Sequence, residues 1–159
     1  MDEYELAELK GREIVEELLV QTGITLINYT TERRAKNDGF FINKNRELIG
    51  FEVKNRSAEI NKYYNTFYLE KTKYDYMDLL NKGITQDNIY INIFDDVVYI
   101  FSFNVIKKKI EKGELSIVNV LLPRGNVEHR EEYKYKECYA LPKEWGHKYL
   151  KKDKWIKIN

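Results

Sequence analysis

The stretch Leu48-Ile49-Gly50-Phe51-Glu52-Val53-Lys54 decides how this chain is read. Seven mostly apolar, β-prone residues predict a strand. Side chains alternate along a strand, so Glu52 and Lys54 share one face while Phe51 and Val53 share the other. One hairpin upstream lies Asn37-Asp38-Gly39, heading a second strand, Asp38-Gly39-Phe40-Phe41-Ile42, and Asn43-Lys44-Asn45-Arg46 supplies the turn between the two. Pairing of these strands brings Asp38 back beside Glu52 and Lys54. Two carboxylates and a lysine in one small volume make a divalent-metal site with a cation beside it, which is equipment for hydrolysing a phosphodiester. The tripeptide by itself is weak evidence, since Glu8-Leu9-Lys10 and Glu132-Tyr133-Lys134 match it too. Context separates the copies: only the one at 52–54 has a strand pattern and an Asp one hairpin earlier. The competing interpretation is an edge strand whose charges are solvated.

The rest of the chain sets limits on the chemistry. Its 159 residues suffice for one domain with a core. Aromatic residues at 14% and charged residues at 33% describe a globular protein rather than a disordered one. Cys138 is the only cysteine, and His129 and His147 are the only histidines. A disulfide framework, a Cys-based zinc site and a His-dependent nuclease centre are therefore not expected. No apolar stretch approaches the ~20 residues of a membrane span, the first residues are acidic, and a cytoplasmic location is the expectation.

Net charge is only +1, but it is unevenly distributed. Residues 1–20 hold seven acids against Lys10 and Arg12 (−5), residues 31–73 ten bases against six acids (+4), and residues 134–157 eight lysines against three acids (+5). Such segregation can form a basic groove on a near-neutral protein, or can simply reflect a lysine-rich composition.

Periodicity predicts helices over 3–21 and 66–82 and a short one over 105–112. Strands are predicted over 24–29, the hairpin 38–54, 88–94, 97–103, 115–122 and 133–139. The fold class expected is α/β, a mixed central sheet flanked by helices, with a core over about 4–103 and a β-rich elaboration over about 104–159. Tyr4, Ala7, Gly11, Ile14, Val15, Leu18 and Leu19 form the apolar arc of the first helix, and Glu8 falls within it between Val15 and Leu19. In the second helix Lys73 falls on the arc that holds Leu69, Tyr76, Met77 and Leu80. Inward charges need partners, so each either meets one at the sheet or reaches water along the helix edge.

A helix with an inward acid, a hairpin bearing Asp and Glu-x-Lys, and a helix with an inward Lys resemble the PD-(D/E)XK nuclease superfamily, with Asn37 in place of the motif's proline. The similarity covers roughly residues 4–103 and implies a restriction-endonuclease-like fold. Lys10-Gly11, Leu18-Leu19 with Gly23, and Tyr68-Leu69-Glu70-Lys71 look most like the archaeal Holliday junction resolvases, although that alignment puts Arg12 where their helical Glu falls and leaves Glu8 to substitute. The resemblance implies that Asp38, Glu52, the Val53 carbonyl and Glu8 hold Mg²⁺ or Mn²⁺. It further implies that Lys54 orients water or neutralises the transition state, and that Lys73 contacts the scissile phosphate. Arg33, Arg34, Lys36, Arg56 and Lys62 are then candidates for phosphate-backbone contacts.

The function expected is metal-dependent hydrolysis of nucleic acid by a DNA endonuclease of phage or bacterial origin. The partner would be nucleic acid, DNA above all, and not a membrane, with homodimerisation left open. Rival readings are an inactive nucleic-acid-binding module of the same fold, a Holliday junction resolvase, and an interaction protein. The last would use the aromatic tail Tyr133, Tyr135, Tyr139, Trp145, Tyr149 and Trp155, which could instead stack on bases or form core.

Overall fold

A computed structural model describes residues 1–24, 27–31, 35–56, 65–123 and 132–159, the side chains of Tyr4 and Pro123 apart. Arg33, Arg34 and Lys62 lie outside the described residues, as do residues 25 and 26 of the strand expected over 24–29. The fold is mixed α/β. Its described elements are α1 (Glu3–Gln21), β1 (Ile27–Tyr29), β2 (Gly39–Ile42), β3 (Leu48–Asn55), β4 (Thr66–Glu70), α2 (Lys71–Asn81), β5 (Asp87–Phe94) and β6 (Val97–Ser102). There follow α3 (Phe103–Glu111), β7 (Ile117–Pro123), β8 (Tyr133–Pro142), a single 3₁₀ turn (Lys143–Trp145), β9 (His147–Lys151) and β10 (Trp155–Lys157).

Local chemistry fixes the first helix. Asp2 accepts from the Glu5 N–H at 2.8 Å and Glu5 returns a bond from the Asp2 N–H at 3.0 Å, a reciprocal cap. At the other end Gly23 takes φ 89°, and the Ile24 N–H reaches the Leu19 carbonyl, closing the helix as a glycine at this position favours. Of the expected inward arc, Gly11, Val15, Leu18 and Leu19 are buried and Ile14 is partly covered, but Ala7 is exposed; Glu13, Glu16 and Glu17 face out.

Seven strands form the central sheet in the order β1-β2-β3-β5-β6-β9-β10. β3 and β5 run parallel and every other neighbouring pair is antiparallel, so the sheet is mixed. A second, antiparallel sheet has the order β4-β8-β7. Residues 104–159 thus supply two strands to each sheet. They complete the two layers rather than hang from them.

The two faces of the central sheet carry separate cores. Val15, Leu18 and Leu19 of α1 cluster with Phe51, Ile91, Ile93, Val98 and Trp155. On the opposite face, Tyr90, Phe94 and Phe101 pack with Phe67 and Leu69 of β4, Tyr74 and Met77 of α2, Ile106 of α3 and Leu141 of β8. Complete burial of each large apolar side chain contributes about 1.5–3 kcal/mol. Of the aromatic tail, Tyr139 and Trp155 are core, whereas Tyr133 and Tyr135 are exposed.

The helix expected over 66–82 is two elements. Thr66–Glu70 is a strand whose Phe67 and Leu69 are buried while their neighbours are only partly covered, a period of two, and it pairs with β8. Helical phase takes over at Lys71.

Gly39 marks a tight crossing where β2 passes between its neighbours. A Cβ there would stand 2.3 Å from the Asn28 carbonyl oxygen and 2.5 Å from the Phe51 ring. Gly39→Ala is therefore expected to lower stability by about 1–3 kcal/mol, the usual cost of forcing an atom into a filled core. Urea denaturation checks this, and an unchanged midpoint would show that β1, β2 and β3 do not pack this way.

Candidate metal centre

The site grows from the way β3 and the turn before β2 meet. Asn37 is buried, donates to the Gly39 carbonyl at 3.1 Å and accepts at its own carbonyl from the Thr30 hydroxyl. This holds Asp38 at the mouth of the hairpin. The Asp38 N–H donates to the Phe51 carbonyl at 2.9 Å, and Asp38 Oδ2 accepts from the Val53 N–H at 2.6 Å. These two bonds straddle Glu52 and set the two carboxylates side by side.

Glu52 is 3% exposed, an unusual setting for a carboxylate. Its Oε1 takes Lys73 Nζ at 2.9 Å, with Lys54 Nζ at 3.6 Å. Its Oε2 is buried and has no hydrogen-bond partner among the described residues. Burial, and secondly the charge of Asp38, push the Glu52 pKa up, while Lys54 and Lys73 pull it back. Lys73 also donates to the Lys36 carbonyl at 3.1 Å, so one ammonium ties α2 both to Glu52 and to the segment leading into Asp38. Lys54 is half-exposed and can turn outward.

The structure therefore brings together Asp38, Glu52, Val53 (through its N–H), Lys54 and Lys73. It does not bring Glu8. Glu8 Oε1 pairs with Arg12 Nη2 at 2.7 Å, and Arg12 reaches on to the Thr30 carbonyl and lies over the Tyr29 ring. The reason is layering. α1 packs on the Phe51 face of the sheet, and Glu52 projects from the other, so an acid on α1 is taken by the arginine one turn along. Among the described residues no group of three or more His, Cys, Asp and Glu side chains converges.

Arg56 also differs from expectation. Rather than standing out toward a phosphate, it donates to Asn92 Oδ1 at 2.6 Å, to the Tyr90 hydroxyl at 2.8 Å and toward the Tyr68 carbonyl at 3.4 Å, with its guanidinium over Phe67. Tyr90 in turn donates to the Tyr68 carbonyl at 3.0 Å, and burial holds its phenol pKa up to about 12. Asn92 is wholly buried, and its Nδ2 has no hydrogen-bond partner among the described residues. This network pins the end of β3 that carries Lys54, whose register partner on β5 is Asn92. The signal was a polar residue inside Ile89-Tyr90-Ile91-Asn92-Ile93-Phe94. Lys36 is exposed, with its ammonium over the Tyr76 ring at 5.5 Å.

Chemically, two adjacent carboxylates with one orphaned, buried oxygen form an acceptor set of the hard-oxygen kind that Mg²⁺ and Mn²⁺ take, and Mg²⁺ commonly binds through one or two carboxylates while keeping its waters. The donor set fits such an ion. No family model matches the chain, and comparison with curated proteins and with solved structures likewise finds no match.

Because the folded pKa of Glu52 lies above its ordinary 4.5, the folded protein holds that proton more tightly than the unfolded chain does. Its contribution to stability is fully present below pH 4.5 and is lost as pH rises through the folded pKa. Glu52→Gln removes the titration. Thermal melts taken from pH 4.5 toward neutrality should show the wild type losing ground to Glu52→Gln as pH rises. A difference between them that stays constant with pH would contradict this burial of Glu52 beside Asp38.

Proposed function

We propose that the chain is a divalent-metal-dependent nuclease with a restriction-endonuclease-like, PD-(D/E)XK core, acting as an endonuclease on nucleic acid, DNA above all. The observation that carries this reading is the buried Oε2 of Glu52, which has no hydrogen-bond partner among the described residues, on a carboxylate whose pKa the Asp38 charge raises and whose other oxygen has two lysines gathered at it. A buried polar atom without a partner is rare enough to need a reason, and a cation supplies one. The element order adds support: an N-terminal helix, three antiparallel strands, a crossover carrying β4 and α2, and a strand parallel to the one bearing Glu52 and Lys54.

Asp38, Glu52 and the Val53 carbonyl would hold Mg²⁺ or Mn²⁺. When bound, the ion supplies stabilisation of charge on the phosphate and a lowered pKa for a water. The chain's own residues do the rest. Lys54 swings from Glu52 to a phosphate oxygen or to the attacking water and offsets negative charge that grows in the transition state. Lys73 favours the charged form of Glu52 against burial and Asp38, and meets the phosphate from the α2 side. Arg56 positions β3 through Tyr90 and Asn92, and does not touch substrate.

A second reading is favoured by the 2.9 Å contact of Lys73 with Glu52. That pair could be a structural ion pair in a nucleic-acid-binding module without activity.

A cleavage panel of duplex, four-way-junction and single-stranded DNA and of RNA, with Mg²⁺, Mn²⁺ or a chelator, separates the two. Metal-dependent cleavage of at least one substrate is expected, abolished in Asp38→Ala and lowered about 100- to 1,000-fold in Lys54→Ala. Binding without cleavage of any substrate would favour the inactive module.

A further inference from the structure

Beside the carboxylates, and sharing Lys73 with them, lies an open groove of about 530 Å³ between residues 35–36 and the outer side of α2. That volume is in the range of small-ligand sites. Its lining divides by chemistry. Tyr76 and Leu79 are apolar, and neither belongs to either core cluster. Leu79 is 60% exposed, although Tyr74, Met77 and Leu80 on the same helix are buried. Lys36 and Lys73 are cationic, and the ammonium of Lys36 lies over the Tyr76 ring. The one acid, Asp75, is held by Lys71 at 2.6 Å. A half-buried tyrosine ring under the Lys36 ammonium, with Lys73 lining the same groove and Asp75 paired to Lys71, suits a base that displaces Lys36 from the ring and stacks there, its phosphates on the lysines. A base paired within a duplex cannot offer its face to a side chain unless it leaves the stack.

We propose that this groove takes an unpaired nucleotide next to the phosphate to be cut, its base on Tyr76 and Leu79 and its flanking phosphates on Lys36 and Lys73. The substrate is then single-stranded or locally unpaired nucleic acid. This deepens the nuclease reading and rests on it for the position of the cut.

The test is fluorescence anisotropy with a labelled DNA 12-mer, single-stranded or annealed into a blunt duplex, in chelator so that nothing is cut. Wild-type protein should bind the single strand about 10-fold more tightly than the duplex. Tyr76→Ala should remove most of that preference and Tyr76→Phe should keep it. Leu79→Asp, at an exposed position that tolerates the change, should weaken single-strand binding at least as much. Equal wild-type affinity for both forms, no binding to either, or a preference unchanged in both Tyr76→Ala and Leu79→Asp would overturn the groove. If metal-dependent cleavage persists in that case, the nuclease reading survives it. If instead cleavage is absent but the Tyr76-dependent preference is present, the groove stands and the nuclease reading fails.

Discussion

Parallel pairing of β3 with β5 is the constraint on which the rest depends. Antiparallel neighbours can be joined by a tight turn, but parallel strands need a long crossover. Here that crossover runs from Arg56 to Gln86 and carries β4 and α2 across one face of the sheet. The covered face is the one from which Glu52 and Lys54 project. Lys73, three residues into α2, is delivered to Glu52 by the same path that joins the strands. α1 occupies the opposite face, which explains why its acids stay out of the site. Topology, more than any single contact, sorts the charged residues into those that meet Glu52 and those that cannot.

Glu52 then becomes an electrostatic problem posed by the fold. Moving a carboxylate out of water is costly, and a second carboxylate beside it adds to the cost. Lys73 and Lys54 offset part of that at Oε1. Oε2 has no hydrogen-bond partner among the described residues. Replacing such buried charge with apolar residues is often neutral or stabilising, so a buried acid with one unmet oxygen is poor design for stability alone. It is reasonable design for holding a cation that arrives from solution. Asp38 is fixed by two backbone contacts, since Val53 and Phe51 both bond to it across the hairpin.

Much of this was legible because it depended on local periodicity. The capped helix over 3–21, the hairpin through 43–46 and the shared face of Glu52 and Lys54 follow from spacing. So does Lys73, whose phase on α2 pointed inward. The failures came where tertiary placement overrode a local pattern. Leu69 fits a helical arc with Lys73, Tyr76 and Leu80, yet Phe67 and Leu69 also alternate, and pairing with a strand some seventy residues away selected the alternation. Glu8 has the phase of an inward residue, but a helical wheel does not say which face of the sheet lies beneath the helix. Arg56 looked like a surface base because its partners, Tyr68, Tyr90 and Asn92, are brought to it only by the crossover. Asn92, a polar interruption in an apolar strand, carries a signal in the sequence that the strand expected over 88–94 did not use.

The central claim is that Asp38 and Glu52 together hold a divalent cation, and calorimetric titration with Mn²⁺ tests it most directly. Wild-type protein should bind Mn²⁺, with affinity weakening as pH falls because protons compete for the elevated pKa of Glu52. Asp38→Asn and Glu52→Gln should each abolish that binding, whereas Lys54→Ala and Glu8→Gln should retain it. Mn²⁺ binding that is unchanged in both Asp38→Asn and Glu52→Gln, or absent from the wild type, would contradict the account.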